Sequence, residues 1–550
     1  MRPPVRATSA PAEWKCPPRI PPRTSVTKSV PCGASLDECI SSCHAAVDSI
    51  LKALQEGEKY SDPTWSPEID QTSVLYLNGH TGCHGCTVGV PHSWKRLSDV
   101  CGSPLLIRDG LCATDVRQGG LGDCFLLSAV AAVASARSDL LQSLFVQFDV
   151  QRGVYGVRLF VNGAWSYVVV DDYIAYDADG RKTYASSCDD NELWLPILEK
   201  AFAKACCCFE NIDGGLTSWA LEVLTGGLAD PRDELTVGDH GPDALWRLVG
   251  DLLERGDILA LGSYSDNEYV AQEGVAFTSG NGTAGEGVLA CGIVAGHAYA
   301  LLGQTEFEGT RLYKIRNPWG MGEWNGAWSD SSKEMTEDAR LALGQTVAND
   351  GIFFMSCSDF SRLWESVSTV RLWDKSWALS SANGFFFRGA KVAVAEEAYE
   401  GEDEDELSLT EGDRVQLADC QHPDWWMGVK LAAGEVASRH GRRGDGCATS
   451  PKSFPKRVVA LAEGVGGCRR FDLSAASPTE AIVVLLQPDI KTRRSYAFSK
   501  EVKGNVKVTN YSNINLTVTR GQGEATEVIA SGEGEVHSAP RKQRPTFKSP

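Results

Sequence analysis

Between residues 118 and 136 the chain passes abruptly from polar, glycine-rich sequence to an apolar run. Gln118-Gly119-Gly120-Leu121-Gly122-Asp123-Cys124-Phe125 leads into the alanine-rich residues 126–136, which predicts a helix with Cys124 in its first turn. Upstream, Leu36, Ile40, Ala46, Ile50, Leu51 and Leu54 recur near one face, so residues 36–56 read as a helix. Between 60 and 124 the signals are mixed, with Trp65 and Trp94 set among Gly and Pro turns. Downstream, strand-like segments at 144–150, 156–161 and 165–170, separated by Gly and Asn turns, predict a hairpin or meander. Residues 193–205, 245–253 and 336–343 read as helices, and 258–262, 296–303, 312–316 and 351–355 as strands. A Gly-, Pro- and Asp-rich stretch at 226–241 marks a subdomain boundary. Asp177-Ala178-Asp179-Gly180 opens like a calcium-binding loop, but no acidic residue follows six positions on, and it reads as a turn.

The ends of the chain lack this patterning. Residues 1–35 are rich in Pro and Arg, and both they and residues 531–550 read as disordered tails. At 550 residues the chain calls for three or four domains, and 43% hydrophobic with 23% charged residues is ordinary for a globular protein. The net charge of −19 argues against nucleic acid as a partner. No apolar run reads as long enough to span a bilayer, and residues 1–30 hold no apolar core of a secretory signal. The 18 cysteines are scattered and include the run Cys206-Cys207-Cys208, which cannot form ordinary disulfides among neighbours. A reducing, cytoplasmic setting is therefore expected. Two clusters invite comparison with zinc sites: Cys32, Cys39, Cys43 and His44, and His80, Cys83, His84 and Cys86. No second pair follows at finger spacing, so loop or core cysteines are the simpler reading.

Cys124 stands where a nucleophilic thiol would be placed. The positive end of a helix dipole favours thiolate, the preceding glycines admit a substrate backbone, and Gln118 can offer its amide to an oxyanion. The plain alternative is a buried cysteine at a helix start. A base and an orienting group decide between the two. His297 opens an apolar strand in Gly296-His297-Ala298-Tyr299, and twenty residues later Asn317 ends another in Arg316-Asn317-Pro318-Trp319-Gly320. Cys, His, Asn is the chain order of papain-like proteases.

These motifs together resemble the calpain family of cysteine proteases. QGxLGDC stands at 118–124, GHAY at 296–299, NPWG at 317–320, and Glu323-Trp324-Asn325-Gly326-Ala327-Trp328-Ser329-Asp330 continues the likeness. It extends to Trp94-Lys95-Arg96 and Glu199-Lys200-Ala201-Phe202-Ala203-Lys204, and covers about 60–365. The resemblance implies an α+β, papain-like protease core of two subdomains, 60–230 with Cys124 and 231–365 with His297 and Asn317, preceded by a helical segment at 36–59. It implies that backbone groups of Gly215 and Gly296 hold an extended substrate, that Trp319 swings to open or block the site, and that calcium aligns the triad. A first calcium site maps to Arg108, Gly110, Asp115 and Glu199, and a second to Glu323, Asp330 and Asp350. Phe125 replaces the usual Trp, Ile352 replaces an acidic ligand, and the loop before Gly214-Gly215 is cysteine-rich.

Residues 391–461 resemble an SH3 domain. Ala395-Glu396-Glu397-Ala398-Tyr399, Asp424-Trp425-Trp426-Met427-Gly428 and Ser453-Phe454-Pro455 carry the likeness, with Tyr399, Trp425 and Pro455 at groove positions. Glu397 and Val458 replace two usual aromatics, so a binding and a purely structural module are both open. Pro18-Arg19-Ile20-Pro21-Pro22-Arg23 fits the PxxPxR pattern such grooves bind, which makes the tail a potential ligand. Residues 366–390 and 462–530 resemble a C2-like β-sandwich interrupted by the SH3-like module, and no penta-EF-hand pattern is present. The expected protein is a calcium-regulated cysteine endopeptidase with all-β domains after its core. The alternative is a catalytically silent scaffold acting through the SH3-like module.

Overall fold

The computed structural model describes residues 34–76, 88–161, 164–229, 234–264 and 287–373, together with short strands elsewhere. The chain divides into two compact units. One holds Pro31–Ala378 and Val483–Pro545, the other Leu379–Ile482 with Met1–Val30 and Thr546–Pro550.

The first unit is built around helix α2. Helix α1 (Ala34–Ala53) precedes it, close to the predicted 36–56. Helix α2 (Cys124–Gln142) begins at Cys124 itself, and its residues Phe125 to Ala134 are buried on every side. It breaks at Arg137 (φ −150°, ψ 64°), where the chain emerges into solvent. By length and composition alone α2 passes for a membrane-crossing helix, a test that a buried core helix also passes. Its apolar surface is instead consumed by the core. The predicted meander follows as antiparallel strands β1 (Phe145–Asp149), β2 (Val154–Val161) and β3 (Ala164–Asp171). Gly156 on β2 allows α1 to lie close, because a Cβ there would meet Cys43 Sγ at 2.6 Å. Asp177 to Gly180 forms a turn closed by Gly180 N–H to the Asp177 carbonyl at 3.2 Å. Helices α3 (Trp194–Ala205) and α4 (Thr217–Thr225) complete this half.

The second half is a six-stranded antiparallel sheet. Chain order gives β4 (Leu235–Thr236), β5 (Ile258–Ser263), β6 (Ala298–Phe307), β7 (Thr310–Arg316), β8 (Ile352–Ser356) and β9 (Trp364–Val370), with helix α5 (Pro242–Glu254) after β4. The spatial order is β8-β7-β6-β5-β9-β4. Side chains alternate across a strand, and here both faces are buried. Leu259, Leu261, Tyr299 and Leu301 belong to the core of this half. Ile258, Ala260, Ala300 and Val370 belong to the core of the Cys124 half. Ala260 and Ala300 are register partners, and α2 packs on β5 and β6. Small side chains at this contact allow a close helix–sheet approach.

Helix α3 braces the first half through two lysines. Lys200 is buried and pairs with buried Asp171, also donating to the Tyr173 carbonyl at 2.7 Å. Lys204 pairs with Asp62 and donates to the Val169 carbonyl at 2.7 Å.

In the other unit a four-stranded sheet runs β10 (Lys391–Val394), β11 (Arg414–Asp419), β12 (Trp425–Lys430) and β13 (Arg457–Ala460) in sequence order. The first three are antiparallel and the last is parallel to β12. These strands fall within the predicted 391–461 module. Elsewhere Ala481–Ile482 pairs with Thr546–Phe547, and Asn515–Arg520 with Glu527–Glu533, so strands enter the C-terminal stretch expected to be disordered. Among the described residues, no sheet joins 374–389 to 468–530. Most of the expected sandwich lies outside the described residues.

Lys200→Met would leave the Asp171 carboxylate buried beside an apolar group. We expect a loss of about 3–5 kcal/mol in urea unfolding, well beyond an exposed Lys→Met control.

Candidate active site

The glycine-rich turn and α2 present Cys124 half-exposed at the helix start, with Ser128 Oγ donating to the Cys124 carbonyl at 2.7 Å. His297 is not in the predicted strand but one residue before β6. It is buried, and its backbone N–H donates to Ser263 Oγ at 3.0 Å. His297 Nε2 and Asn317 Oδ1 lie 3.0 Å apart. Asn317 follows β7 and is held on three sides. Its backbone N–H donates to the Gly351 carbonyl at 2.9 Å, its Nδ2 to the Gly322 carbonyl at 3.0 Å, and its Oδ1 accepts from Trp319 N–H at 3.0 Å. The Trp319 ring lies 5.0 Å from the imidazole and the Tyr299 ring stands edge-on at 5.0 Å. Aromatic cover of this kind keeps water from competing for a hydrogen bond.

The two halves are joined by main-chain bonds beside these residues. Gln118 N–H donates to the Pro318 carbonyl at 2.9 Å. Arg316 is fully buried and its Nη2 donates to the carbonyls of Thr114 (3.1 Å) and Val116 (2.8 Å). Burial lowers its pKa to about 10. Gln118 Nε2 donates to the Leu121 carbonyl at 2.7 Å, so one amide hydrogen is used within its own turn and the second is left for a ligand. The loop carrying Gly215 is pinned to the same turn: Gly214 N–H donates to the Gly122 carbonyl at 2.7 Å, and Gly122 N–H to Asp213 Oδ1 at 3.0 Å. Gly296 takes φ +65° and gives its N–H to the Tyr264 carbonyl at 2.9 Å, which leaves its carbonyl as the group for a substrate strand.

The predicted metal residues separate into two groups, with one misplacement. Among the described residues no three His, Cys, Asp or Glu side chains converge as a preformed cage. Arg108 N–H donates to Glu192 Oε1 at 3.0 Å, while its guanidinium turns away to Asp189 at 3.1 Å. Burial and the charge of Glu192 raise the Asp115 carboxyl, although the Cys112 N–H lowers it. Asp109 and Gly110 both have positive φ, 56° and 96°, which curls this loop. Glu199 does not join it. Its Oε1 accepts from Ala185 N–H at 3.0 Å, and its carboxyl meets Asp123 beneath Cys124. Glu192 is thus the acid beside Asp115; the run Asp189-Asp190-Asn191-Glu192 just ahead of α3 was its sequence signal. In the second group, Glu323 is raised to about 7 by burial, with Asp330 and Asp350 adding to the rise. Asp330 Oδ1 accepts from Gln345 at 2.7 Å, but its buried Oδ2 has no donor. Mutually repelling carboxylates with an orphaned oxygen fit an oxygen-loving cation.

The zinc clusters gain nothing. Cys39 and Cys43 sit on α1, and burial pushes Cys43 up to about 12, opposite to what a thiolate ligand needs. His44 bonds Gln147 at 2.6 Å. Cys32, His80, Cys83, His84 and Cys86 lie outside the described residues, as do Pro18 to Arg23, Tyr399 and Pro455. Trp425 opens β12.

A Cβ on Gly215 would meet the Phe125 ring at 2.7 Å, and that ring stacks on Trp219 at 6.1 Å. Gly215→Ala should therefore cost about 1–3 kcal/mol in chemical denaturation, and Phe125→Leu in the same chain should recover part of it.

Comparison with known proteins identifies the family. The calpain family cysteine protease model matches residues 60–371, and the SH3 domain model matches 394–436. A calpain-type cysteine protease, ADL1, of Oryza sativa subsp. japonica is 35% identical over 295 residues, covering 52% of this chain and 13% of its own length. Calpain-5 of Mus musculus is 33% identical over 343 residues (58% and 50%), and the calpain-1 catalytic subunit of Mus musculus 32% over 355 (62% and 46%). The chain spans half or less of the length of these relatives. With the family match covering more than half of its sequence, the chain belongs to the calpain family of cysteine proteases and carries an SH3 domain after the protease core.

Proposed function

We propose that the protein is a cysteine endopeptidase in which Cys124, His297 and Asn317 act as a triad and calcium favours the working arrangement. The observation that carries the reading is the Nε2–Oδ1 bond between His297 and Asn317, which orients the imidazole and assigns proton exchange with the thiol to Nδ1. Cys124 Sγ attacks the scissile carbonyl carbon as its proton passes to His297. The second amide hydrogen of Gln118 stabilises the oxyanion. The C–N bond breaks as His297 returns the proton to the leaving amine, and water then releases the acyl group with His297 as base. The backbone of Gly215 and Gly296 holds the substrate extended.

Calcium would sit at Asp115 and Glu192 with the carbonyls of Arg108 and Gly110, and at Glu323, Asp330 and Asp350. When bound it supplies positive charge to carboxylates that otherwise repel. The second group reaches the triad in two bonds: Glu323 Oε1 accepts from Gly351 N–H at 2.9 Å, and the Gly351 carbonyl accepts from Asn317 N–H. The wealth of free thiols suits a reducing, cytoplasmic location. A C2-like sandwich flanking the SH3 domain remains part of this reading.

The second reading is a scaffold working through the SH3 domain, favoured by the family match at 394–436 and by the tail motif Pro18 to Arg23. It predicts that a peptide of residues 14–26 binds the chain and that Cys124→Ser leaves all function intact.

A fluorogenic peptide assay separates the two. We expect cleavage by the full chain, loss of turnover to background with Cys124→Ser, and a fall of about 10²-fold or more with Asn317→Ala. Calcium should raise turnover and the thermal midpoint together, and Glu323→Gln should blunt both responses. Unchanged cleavage by Cys124→Ser would overturn the endopeptidase reading.

A further inference from the structure

Directly beneath Cys124 lies a pair of acids that the mechanism above does not use. Asp123 is fully buried at the start of α2, yet its side chain makes no cap to the helix, and neither of its carboxylate oxygens meets a donor. The group against it is the carboxyl of Glu199, buried on α3. Two carboxylates only accept. They can face each other away from water only if one of them carries a proton, which then forms the bond between them.

Among the described residues, no cation stands against the pair to balance two charges. The lysines that follow Glu199 on α3, Lys200 and Lys204, are committed to Asp171 and Asp62. The titratable groups facing the pair are Cys124 on α2 and Tyr184 from the segment before α3, and Asp213 borders the turn at Gly122. None of them is a cation, and a Cys124 thiolate would oppose a second negative charge on the pair. Burial accordingly raises both carboxyls, Glu199 to about 7.

The pair also stands at a junction. Glu199 Oε1 accepts from Ala185 N–H at 3.0 Å. The segment around Ala185 pairs with the one that carries Gln118: Arg117 and Ser186 exchange bonds of 3.1 and 2.9 Å, and Gly120 N–H donates to the Thr183 carbonyl at 2.8 Å. A Cβ on Gly119 would strike the Tyr184 carbonyl at 2.2 Å, so the contact is as close as backbone allows. One carboxyl group on α3 therefore touches both the residue before the nucleophile and the strand beside the oxyanion amide.

We propose that Asp123 and Glu199 share a single proton and act as a positioning pair, locking the Cys124 turn and the Gln118 segment to α3. This rests on the endopeptidase reading for its consequence in turnover, but not for the pair itself. Glutamine at 199 can donate to Asp123 and accept from Ala185 without any shared proton, whereas alanine can do neither.

The test compares Glu199→Gln, Glu199→Ala and the full-length parent in two readouts. The first is the thermal midpoint from pH 5 to 8.5. A carboxyl raised in the fold holds its proton there while the unfolded chain loses it, so parent stability falls as pH rises from about 4.5 towards 7. Glu199→Gln has no such proton, and its midpoint should gain on the parent across this range. The second is kcat/KM on a fluorogenic peptide. Glu199→Gln should stay within about threefold of the parent at pH 6.5, and Glu199→Ala should lose about 30-fold or more, mainly in kcat. A pH-independent difference in midpoint between Glu199→Gln and the parent would overturn the shared proton. Equal damage from Gln and Ala would overturn the positioning role. A parent without any peptide turnover, but with the pH-dependent midpoint difference, would sink the endopeptidase reading and leave the proton-sharing pair standing.

Discussion

The candidate site depends on one sheet having two buried faces. Strands β5 and β6 turn Leu259, Leu261, Tyr299 and Leu301 one way and Ile258, Ala260 and Ala300 the other, and α2 rests on the second set. Because the helix that begins at Cys124 and the strand that begins after His297 pack against each other, the distance between these two residues is a packing quantity. Interiors at crystal-like density leave little slack in such a contact. Alanine on both sides of the contact is then a geometric requirement, since a larger side chain would lift the helix and carry the thiol with it.

Around that contact the polar geometry is mostly main chain. The Gln118–Pro318, Asn317–Gly351 and Gly214–Gly122 bonds all join peptide groups, and only the further link from Gly351 to Glu323 ends on a side chain. Peptide groups have fixed length and no rotamers to lose, so side-chain identity is free to vary around them while the site keeps its shape. This explains how the turn tolerates Phe125, whose ring stacks into the Trp219 and Phe202 cluster and lies flush against Gly215.

Much of this was legible in residue order. A polar glycine turn running into an apolar helix located Cys124, and a strand stopped by Pro318 located Asn317, because both signals are local. Glu199 was misplaced for the opposite reason. Its spacing said that it lay on a helix but not which neighbour the helix turned it towards, and its partner Asp123 is invisible unless the two segments are brought together. Glu192, in a loop, was passed over in favour of a residue inside a motif. The SH3 module was recognisable from scattered aromatics and turns, while its groove residues Tyr399 and Pro455 stand outside the described residues.

Arg316 carries a consequence for how firmly the two halves hold together. It is sealed at their junction with two carbonyl partners on Nη2, while its Nε and Nη1 find none. Each unmatched buried donor costs about 1–3 kcal/mol, which offsets much of what the junction gains from the bonds it does make. Part of what the junction gains is therefore given back at Arg316. A ligand that preferred one arrangement of the two halves by a few kcal/mol would shift their balance about a hundredfold.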